Sequence, residues 1–199
     1  MNRIVFAVLE ILAAALFLLP VYWILNRRYF HSVRKTLAYC IFSFYLVAVY
    51  SLVGMPCITY VRLHFRANLI PFLGMIRDLK NGILNVLLFV PLGVMLPVFW
   101  EQFRSWKKTV CFGFCMSLTI ELLQILTMRA TDINDLITNC LGAALGYCIA
   151  LALRKRFPSV DKLVDNPKQW DVYLLCGIVL TVMFFFQPFP AAWLWEVFH

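Results

Sequence analysis

Long apolar stretches alternate with short connections rich in lysine and arginine along most of the chain. A helix needs about 20 mostly apolar residues to cross a bilayer, and six stretches approach or exceed that length. They cover about residues 4–25, 37–55, 83–100, 109–128, 132–153 and 172–187. The first is too long for a signal-peptide core, so we expect a retained helix. The pattern predicts an all-α, polytopic membrane helical bundle with six transmembrane helices, in a single membrane domain over residues 1–199.

The composition agrees with a membrane location and excludes a soluble globule. The 199-residue chain is 63% hydrophobic and only 14% charged, whereas a soluble domain averages about 25% charged residues. The net charge of +8 invites a nucleic-acid partner, but the basic residues lie in short connections between apolar stretches, as topology selection produces. The seven cysteines lack metal-site spacing and are typical of small buried hydrophobic residues. Because topology selection accounts for the basic residues, we expect no nucleic-acid partner.

The segment between the second and third stretches differs from both of them. Residues 61–66 alternate apolar and basic side chains, and polar residues recur up to Asn81. This segment is too polar to span a membrane and too apolar to be a free loop, so we expect an interfacial segment folded onto the bundle. Within it, Asn68 precedes Pro71, and a turn or capping role explains Asn68 as well as a functional role does.

A stripe of polar residues interrupts the fourth apolar stretch. Ser117, Glu121, Gln124 and Met128 follow one another at spacings of four, three and four, which places them on one helical face. At 1.5 Å per residue, Glu121 lies roughly 10 Å below the end of its helix. An unpaired carboxylate is costly at that depth. We therefore expect Glu121 to have a partner, with Arg129 and Asn139 as the candidates.

The fifth stretch continues this polar face from a helix N-terminus. Asp132 suits the N-cap, and Asp135 lies in the first turn, where free amides and the helix dipole favour negative charge. Capping is thus an alternative to a functional role for both residues. Asn139, Gly142 and Gly146 extend the stripe, and the two glycines form a GxxxG pattern that predicts a close helix contact.

Loop charges predict the orientation in the membrane. Twelve of the 18 basic residues lie in the first, third and fifth connections. These connections end at Lys35, Lys108 and Asp171, respectively. Under the positive-inside rule these connections are cytoplasmic, so both termini are expected to be extracellular. The polar side chains then fall toward the outer half of the membrane. We predict a binding cluster there that consists of Asn68, Arg77, Asn85, Glu121, Gln124, Arg129, Asp132, Asp135 and Asn139.

Four motifs in this part of the chain resemble the VanZ-like family of membrane proteins, over about residues 68–150. They are Asn68-x-x-Pro71-Phe72, then Asn85 with Phe89, Pro91 and Gly93, then Glu121-x-x-Gln124, and finally Arg129, Asp132, Asn134, Asp135, Asn139, Gly142 and Gly146. The family pattern often has an acid where Asn134 stands, which weakens a metal site made of adjacent carboxylates. The resemblance implies a multi-pass protein of the bacterial cell membrane, in a family associated with low-level resistance to the lipoglycopeptide antibiotic teicoplanin.

Three functions fit the polar cluster. The one we favour is binding or moving an amphiphile at the outer leaflet, whether a membrane lipid, a lipid-linked envelope component or the lipoglycopeptide antibiotic itself. An enzyme acting on a lipid-linked envelope intermediate is the second. It would use Glu121, Asp132 and Asp135 as general acid and base or as ligands of a divalent cation. A third is a structural partner protein, in which the polar stripe only completes helix packing.

The enzyme is less favoured because its usual sequence signatures are absent. The chain has no HExxH motif, no Ser/His pair and no glycine-rich phosphate loop. Its histidines, His31, His64 and His199, lie away from the acidic residues, and no two share a helix face that would suit haem. We therefore assign no catalytic residue, metal ligand or cofactor. The sequence does not specify the ligand or the oligomeric state.

Overall fold

The computed structural model describes residues 3–63, 67, 68, 70, 72, 79–127 and 131–198. Arg77 and Arg129, two members of the predicted cluster, lie outside these residues, as does most of the predicted interfacial segment. The all-α prediction is confirmed, because the described chain is mostly helical. Its helices are α1 (Arg3–Leu25), α2 (Val33–Val53), α3 (Leu79–Phe99), α4 (Trp106–Gln124), α5 (Ile133–Arg156), α6 (Asp171–Thr181) and α7 (Pro188–Phe198).

Four of the described helices are long and apolar enough to cross a membrane. They are α1 with the π-helical turn Asn26–Phe30, α2, α3 and α5. A fifth span results if Asp171–Phe186 and α7, which are bent by 51° at a short break, count as one. The fourth predicted span, about residues 109–128, corresponds to α4, which is not among these candidates and whose 19 residues include Lys107, Lys108 and Glu121. The chain is therefore a membrane protein, with α4 more polar than the other spans.

The described residues form two compact units, Met1–Val61 with Lys168–His199 (unit 1) and Arg62–Pro167 (unit 2). In unit 1, α1 packs against α2 and α7, and α2 packs against α6. Its core is aromatic, with Tyr22, Tyr39 and Phe42 fully buried, and apolar side chains such as Leu12 and Leu16 of α1 are exposed. Such an outward apolar face is what a lipid environment requires. That the two units make up a single membrane domain stays a prediction.

A buried ion pair in unit 1 corrects one detail of the sequence interpretation. Lys35 and Asp171 were assigned to charged connections, but they lie in the first turns of α2 and α6 and are 4% and 6% exposed. The Lys35 Nζ is 2.8 Å from Asp171 Oδ2. The same oxygen accepts hydrogen bonds from the Tyr39 hydroxyl (2.6 Å) and the Lys168 amide (3.0 Å). The pair thus joins two helix beginnings within unit 1.

Unit 2 is built on a very close contact between α3 and α5. A Cβ atom added to Gly142 would lie 2.3 Å from the Val86 carbonyl oxygen, and one added to Gly146 would lie 2.2 Å from that of Val90. On α3, a Cβ atom at Gly93 would lie 2.1 Å from the carbonyl oxygen of Ala143. Only glycine lets the two backbones approach this closely. The predicted close contact at the GxxxG pattern is confirmed.

A short parallel pairing, which the sequence did not predict, joins two connections of unit 2. Strand β1 (Ala67–Asn68) pairs with β2 (Thr131–Asp132), so that Asn68 lies opposite Asp132. Upstream, the Arg62 amide donates to the Leu126 carbonyl oxygen at 2.8 Å. Arg62 therefore lies beside the residues that follow α4, and the strand pairing brings Asn68 to the beginning of α5.

Candidate polar binding site

Glu121 lies at the centre of the polar residues in unit 2. It belongs to the last turn of α4, and only 3% of it is exposed. Its Oε2 accepts a hydrogen bond from the Asp132 amide at 3.0 Å, and its carbonyl oxygen accepts one from the Thr131 hydroxyl at 3.2 Å. Glu121 therefore fixes the α4–α5 connection to the end of α4. The expected partner Arg129 lies outside the described residues.

Asp132 combines the capping role with a link to the preceding segment. Asp132 is the N-cap of α5, and its Oδ1 accepts a hydrogen bond from the backbone amide of Asn134 at 2.8 Å. The capping prediction is therefore confirmed. Its Oδ2 accepts from Asn68 Nδ2 at 3.2 Å. The Asn68 side-chain Oδ1 in turn accepts from the Ile70 backbone amide at 3.4 Å. Asn68 is thus both a turn residue and a member of the polar cluster.

Asp135 connects α5 with α3. Its Oδ1 accepts a hydrogen bond from Asn85 Nδ2 at 2.8 Å, and both side chains are partly exposed. Since Asn85 lies in the second turn of α3 and Asp135 in the first turn of α5, this bond lies at the same end of unit 2 as Asp132. The structure therefore brings five predicted residues together at that end: Asn68, Asn85, Glu121, Asp132 and Asp135.

Asn134 was not predicted as a member of the cluster, although it belongs to it. It is 7% exposed, and its Oδ1 accepts from the Phe72 amide at 2.7 Å. Phe72 has a positive φ of 65°, a conformation that a bulky residue rarely adopts without support. The hydrogen bond from Asn134 supplies such support. Its place in the fourth motif, at a position where related sequences often have an acid, was the signal that could have identified it.

The remaining predicted residues of the described chain are Gln124, the last residue of α4, and Asn139 in the second turn of α5. Gln124 and Asn139 are buried, at 6% and 4% exposed. Asn139 Nδ2 donates to Ser117 Oγ at 2.8 Å, which corrects the expectation that Asn139 would pair with Glu121. Within the described part of the chain, Asn139 Oδ1 has no hydrogen-bond partner. Ser117 was recognised on the polar face of α4 but was not included among the site residues.

The residues of the cluster differ in solvent exposure, and this difference limits which of them a ligand can contact. Asn68, Asn85, Asp132 and Asp135 are partly exposed, whereas Glu121 is buried behind them. The described donors to the carboxylates of Glu121, Asp132 and Asp135 are backbone amides and asparagine side chains. In residues 3–63, 79–127 and 131–198, no three His, Cys, Asp or Glu side chains are arranged to hold a metal ion. The arrangement offers carboxylate and amide oxygens to a polar group that contacts this end of unit 2.

Comparisons with known proteins agree with the motifs. The sequence profile of the VanZ/LLP1 family matches residues 36–154, which is more than half of the chain and extends from α2 to the end of α5. Protein VanZ of Enterococcus faecium is 33% identical over 117 residues, which cover 58% of this chain and 67% of that protein. No solved structure matches the chain. The match begins earlier than the core predicted at residues 68–150, and it includes most of α2.

Proposed function

The chain belongs to the VanZ/LLP1 family, and from that premise we propose that it binds an amphiphile at the outer leaflet of the bacterial cell membrane. The bound molecule is teicoplanin or a lipid-linked envelope component, and its binding gives low-level protection against lipoglycopeptide antibiotics. The apolar part of such a molecule lies in the lipid, while its polar head contacts the cluster at the end of unit 2.

The observation that carries the proposal is the partly exposed carboxylate of Asp132 beside the buried Glu121. Asp132 Oδ1 accepts one described hydrogen bond, from the backbone amide of Asn134, and Oδ2 accepts one, from Asn68 Nδ2. An ionised carboxylate has about four acceptor positions, so Asp132 can accept further hydrogen bonds from a ligand. Glu121 holds the Asp132 backbone in place. A fixed acceptor at the end of the helices is what recognition of a polar head requires.

The chemistry of the cluster favours a head group rich in hydrogen-bond donors. Asp132 and Asp135 present carboxylate oxygens, and Asn68 and Asn85 present amide groups. Carboxylates accept hydrogen bonds and repel anions. Sugar hydroxyls and ammonium groups therefore suit these residues better than a phosphate does. We propose that the part of the ligand in contact with Asp132 is a sugar or an amine.

The outward orientation of the site is part of the proposal. The α3 beginning, the α4 end and the α5 beginning all lie on the side that the distribution of basic residues predicts to be extracellular. Both termini are extracellular in this topology. A molecule that arrives from outside the cell reaches a site in this position without crossing the membrane.

Replacement of Glu121 by glutamine tests the proposal. The glutamine side chain has nearly the same shape and can still accept from the Asp132 amide, but it carries no charge. We expect teicoplanin protection to be lost in cells that express Glu121→Gln at the wild-type membrane level. Glu101→Gln, the same substitution at an exposed residue beyond the other end of α3, should protect like the wild type. Undiminished protection by Glu121→Gln would sink the proposal.

One observation favours a second candidate, a structural role for the cluster in a partner protein. The hydrogen bonds of Glu121, Asp132 and Asp135 connect α3, α4, α5 and the segment before α3, and polar bonds between membrane helices contribute modestly to stability. If this is their whole purpose, Glu121→Gln and Asp135→Asn will lower the melting temperature, and whatever protection is lost will follow the amount of folded protein. Loss of protection at an unchanged melting temperature separates the two candidates.

A further inference from the structure

A basic surface lies at the other end of unit 2, on residues that the polar cluster does not use. The α3–α4 connection and the segment after α5 meet there, because Asp161 binds two arginines. Arg154 Nε is 2.5 Å from Asp161 Oδ1, and an Arg104 nitrogen is 3.3 Å from the same oxygen. The Tyr147 hydroxyl also donates to the Arg104 carbonyl oxygen at 3.1 Å. These contacts bring the first turn of α4 and the last turn of α5 to one end of the unit.

The exposed side chains at this end carry a surplus of positive charge. Glu101 and Asp161 are both bound by Arg104. The cations that are exposed there, which together we name the basic rim, are Lys107, Lys108, Lys155, Arg156 and Lys162. Helix stability explains only some of them. Lys155 and Arg156 suit a helix C-terminus, whereas Lys107 and Lys108 lie in the first turn of α4, where the helix dipole disfavours cations.

Aromatic side chains accompany the basic rim. Trp106 and Phe157 are 47% and 50% exposed, and the Arg156 guanidinium lies 5.2 Å from the centre of the Phe157 ring. Exposed aromatic residues at the ends of spans are typical of the level of lipid headgroups. Since α3 and α5 are spans that end at Phe99 and Arg156, the basic rim lies at that level. A soluble acidic partner would not require the exposed aromatic rings.

We propose that the basic rim is a binding surface for anionic phospholipid headgroups. The phosphate group contacts the lysines of the first α4 turn, and Trp106 and Phe157 lie against the glycerol and upper acyl region. The attraction of a basic residue near an anionic membrane surface corresponds to about a fivefold change in affinity for each lysine or arginine. This proposal concerns the opposite end of unit 2 from the polar cluster and does not depend on the function proposed for that cluster.

Native mass spectrometry of the full chain in a neutral detergent tests the proposal. Phosphatidylglycerol and phosphatidylcholine with identical acyl chains are added separately, and bound lipid is counted. We expect the wild type to retain phosphatidylglycerol in preference to phosphatidylcholine, and Lys107→Gln/Lys108→Gln to lose most of that preference, because two of the cations that contact the phosphate group are neutral in this variant. Higher salt should weaken the preference, because exposed charges are screened.

The chain offers a matched control for this experiment. Lys80 is also an exposed lysine in the first turn of a spanning helix, but it lies at the polar-cluster end of unit 2. Lys80→Gln should bind phosphatidylglycerol like the wild type. Size-exclusion profiles report whether each variant is folded. Equal retention of the two lipids by the wild type would overturn the proposal, as would an equal loss in Lys80→Gln and in the double variant.

Discussion

The two units hold buried carboxylates in different ways. In unit 1, Asp171 faces the ammonium group of Lys35, and three donors converge on its Oδ2. In unit 2, the described donor to Glu121 is the backbone amide of Asp132, and the neighbouring Asp132 and Asp135 remain partly exposed. The first arrangement surrounds one carboxylate oxygen with three donors inside a core, which is a structural role. The second presents acceptors at the end of the helices, which suits binding.

The largest predicted effect comes from breaking the ion pair of unit 1. Asp171→Leu leaves Lys35 as a buried charge without its carboxylate, and removal of one partner from a buried pair costs about 3–5 kcal/mol. We expect a marked fall in the thermal unfolding temperature in detergent. The double variant Lys35→Met/Asp171→Leu should recover most of that loss, because it removes both charges. An unchanged unfolding temperature for the single variant would show that the pair does not stabilise unit 1.

A smaller effect is expected at Asp132, where stability and function can be separated. Asp132→Ala removes the N-cap of α5 and should lower the free energy of unfolding by about 1 kcal/mol, whereas asparagine caps a helix about as well as aspartate does. Asp132→Asn should therefore retain the stability and still lose teicoplanin protection, because it lacks the charge. The measurements are thermal unfolding and growth inhibition, made on the same variants. Full protection by Asp132→Asn would remove Asp132 from the proposed site.

The smallest effect concerns Asp161, a carboxylate at the surface. The hydrogen bonds from Arg154, together with the charge of Arg104, hold the pKa of Asp161 below its usual range. Because the pKa is lower in the folded state, this contribution to stability is complete above the usual carboxyl pKa. It disappears as the pH falls through the depressed pKa. The stability difference between the wild type and Asp161→Asn should shrink over that acidic window, and a constant difference would contradict the assignment.

Local features of the chain were predictable, and pairings between distant segments were not. Apolar length identified the candidate spans α1, α2, α3 and α5, and spacing placed Ser117, Glu121 and Gln124 on one buried face of α4. Chemistry at a helix start identified the Asp132 cap. The Lys35–Asp171 pair was missed because each residue resembles an ordinary loop charge until α2 and α6 pack together.

The hydrogen-bond partners within the site show the same limit. Helical spacing selected Asn139 as a polar residue facing α4, but only the packed helices pair it with Ser117 rather than with Glu121. Asn68 and Asp132 pair within two strands of only two residues each. Strands of that length are too short to show a periodic pattern in the sequence. Sequence reasoning therefore found most members of the cluster and could not give their connections.

Direct binding of teicoplanin tests the central claim about the polar cluster. The full chain is held in lipid nanodiscs and titrated with teicoplanin by isothermal titration calorimetry, with Glu121→Gln and Glu101→Gln in parallel. We expect the wild type and Glu101→Gln to bind alike, and Glu121→Gln to bind about tenfold more weakly, because its neutral side chain holds the Asp132 backbone with a weaker hydrogen bond. The unfolding transition of each protein shows that it is folded at the temperature of the titration. Equal affinity of all three proteins would contradict the account.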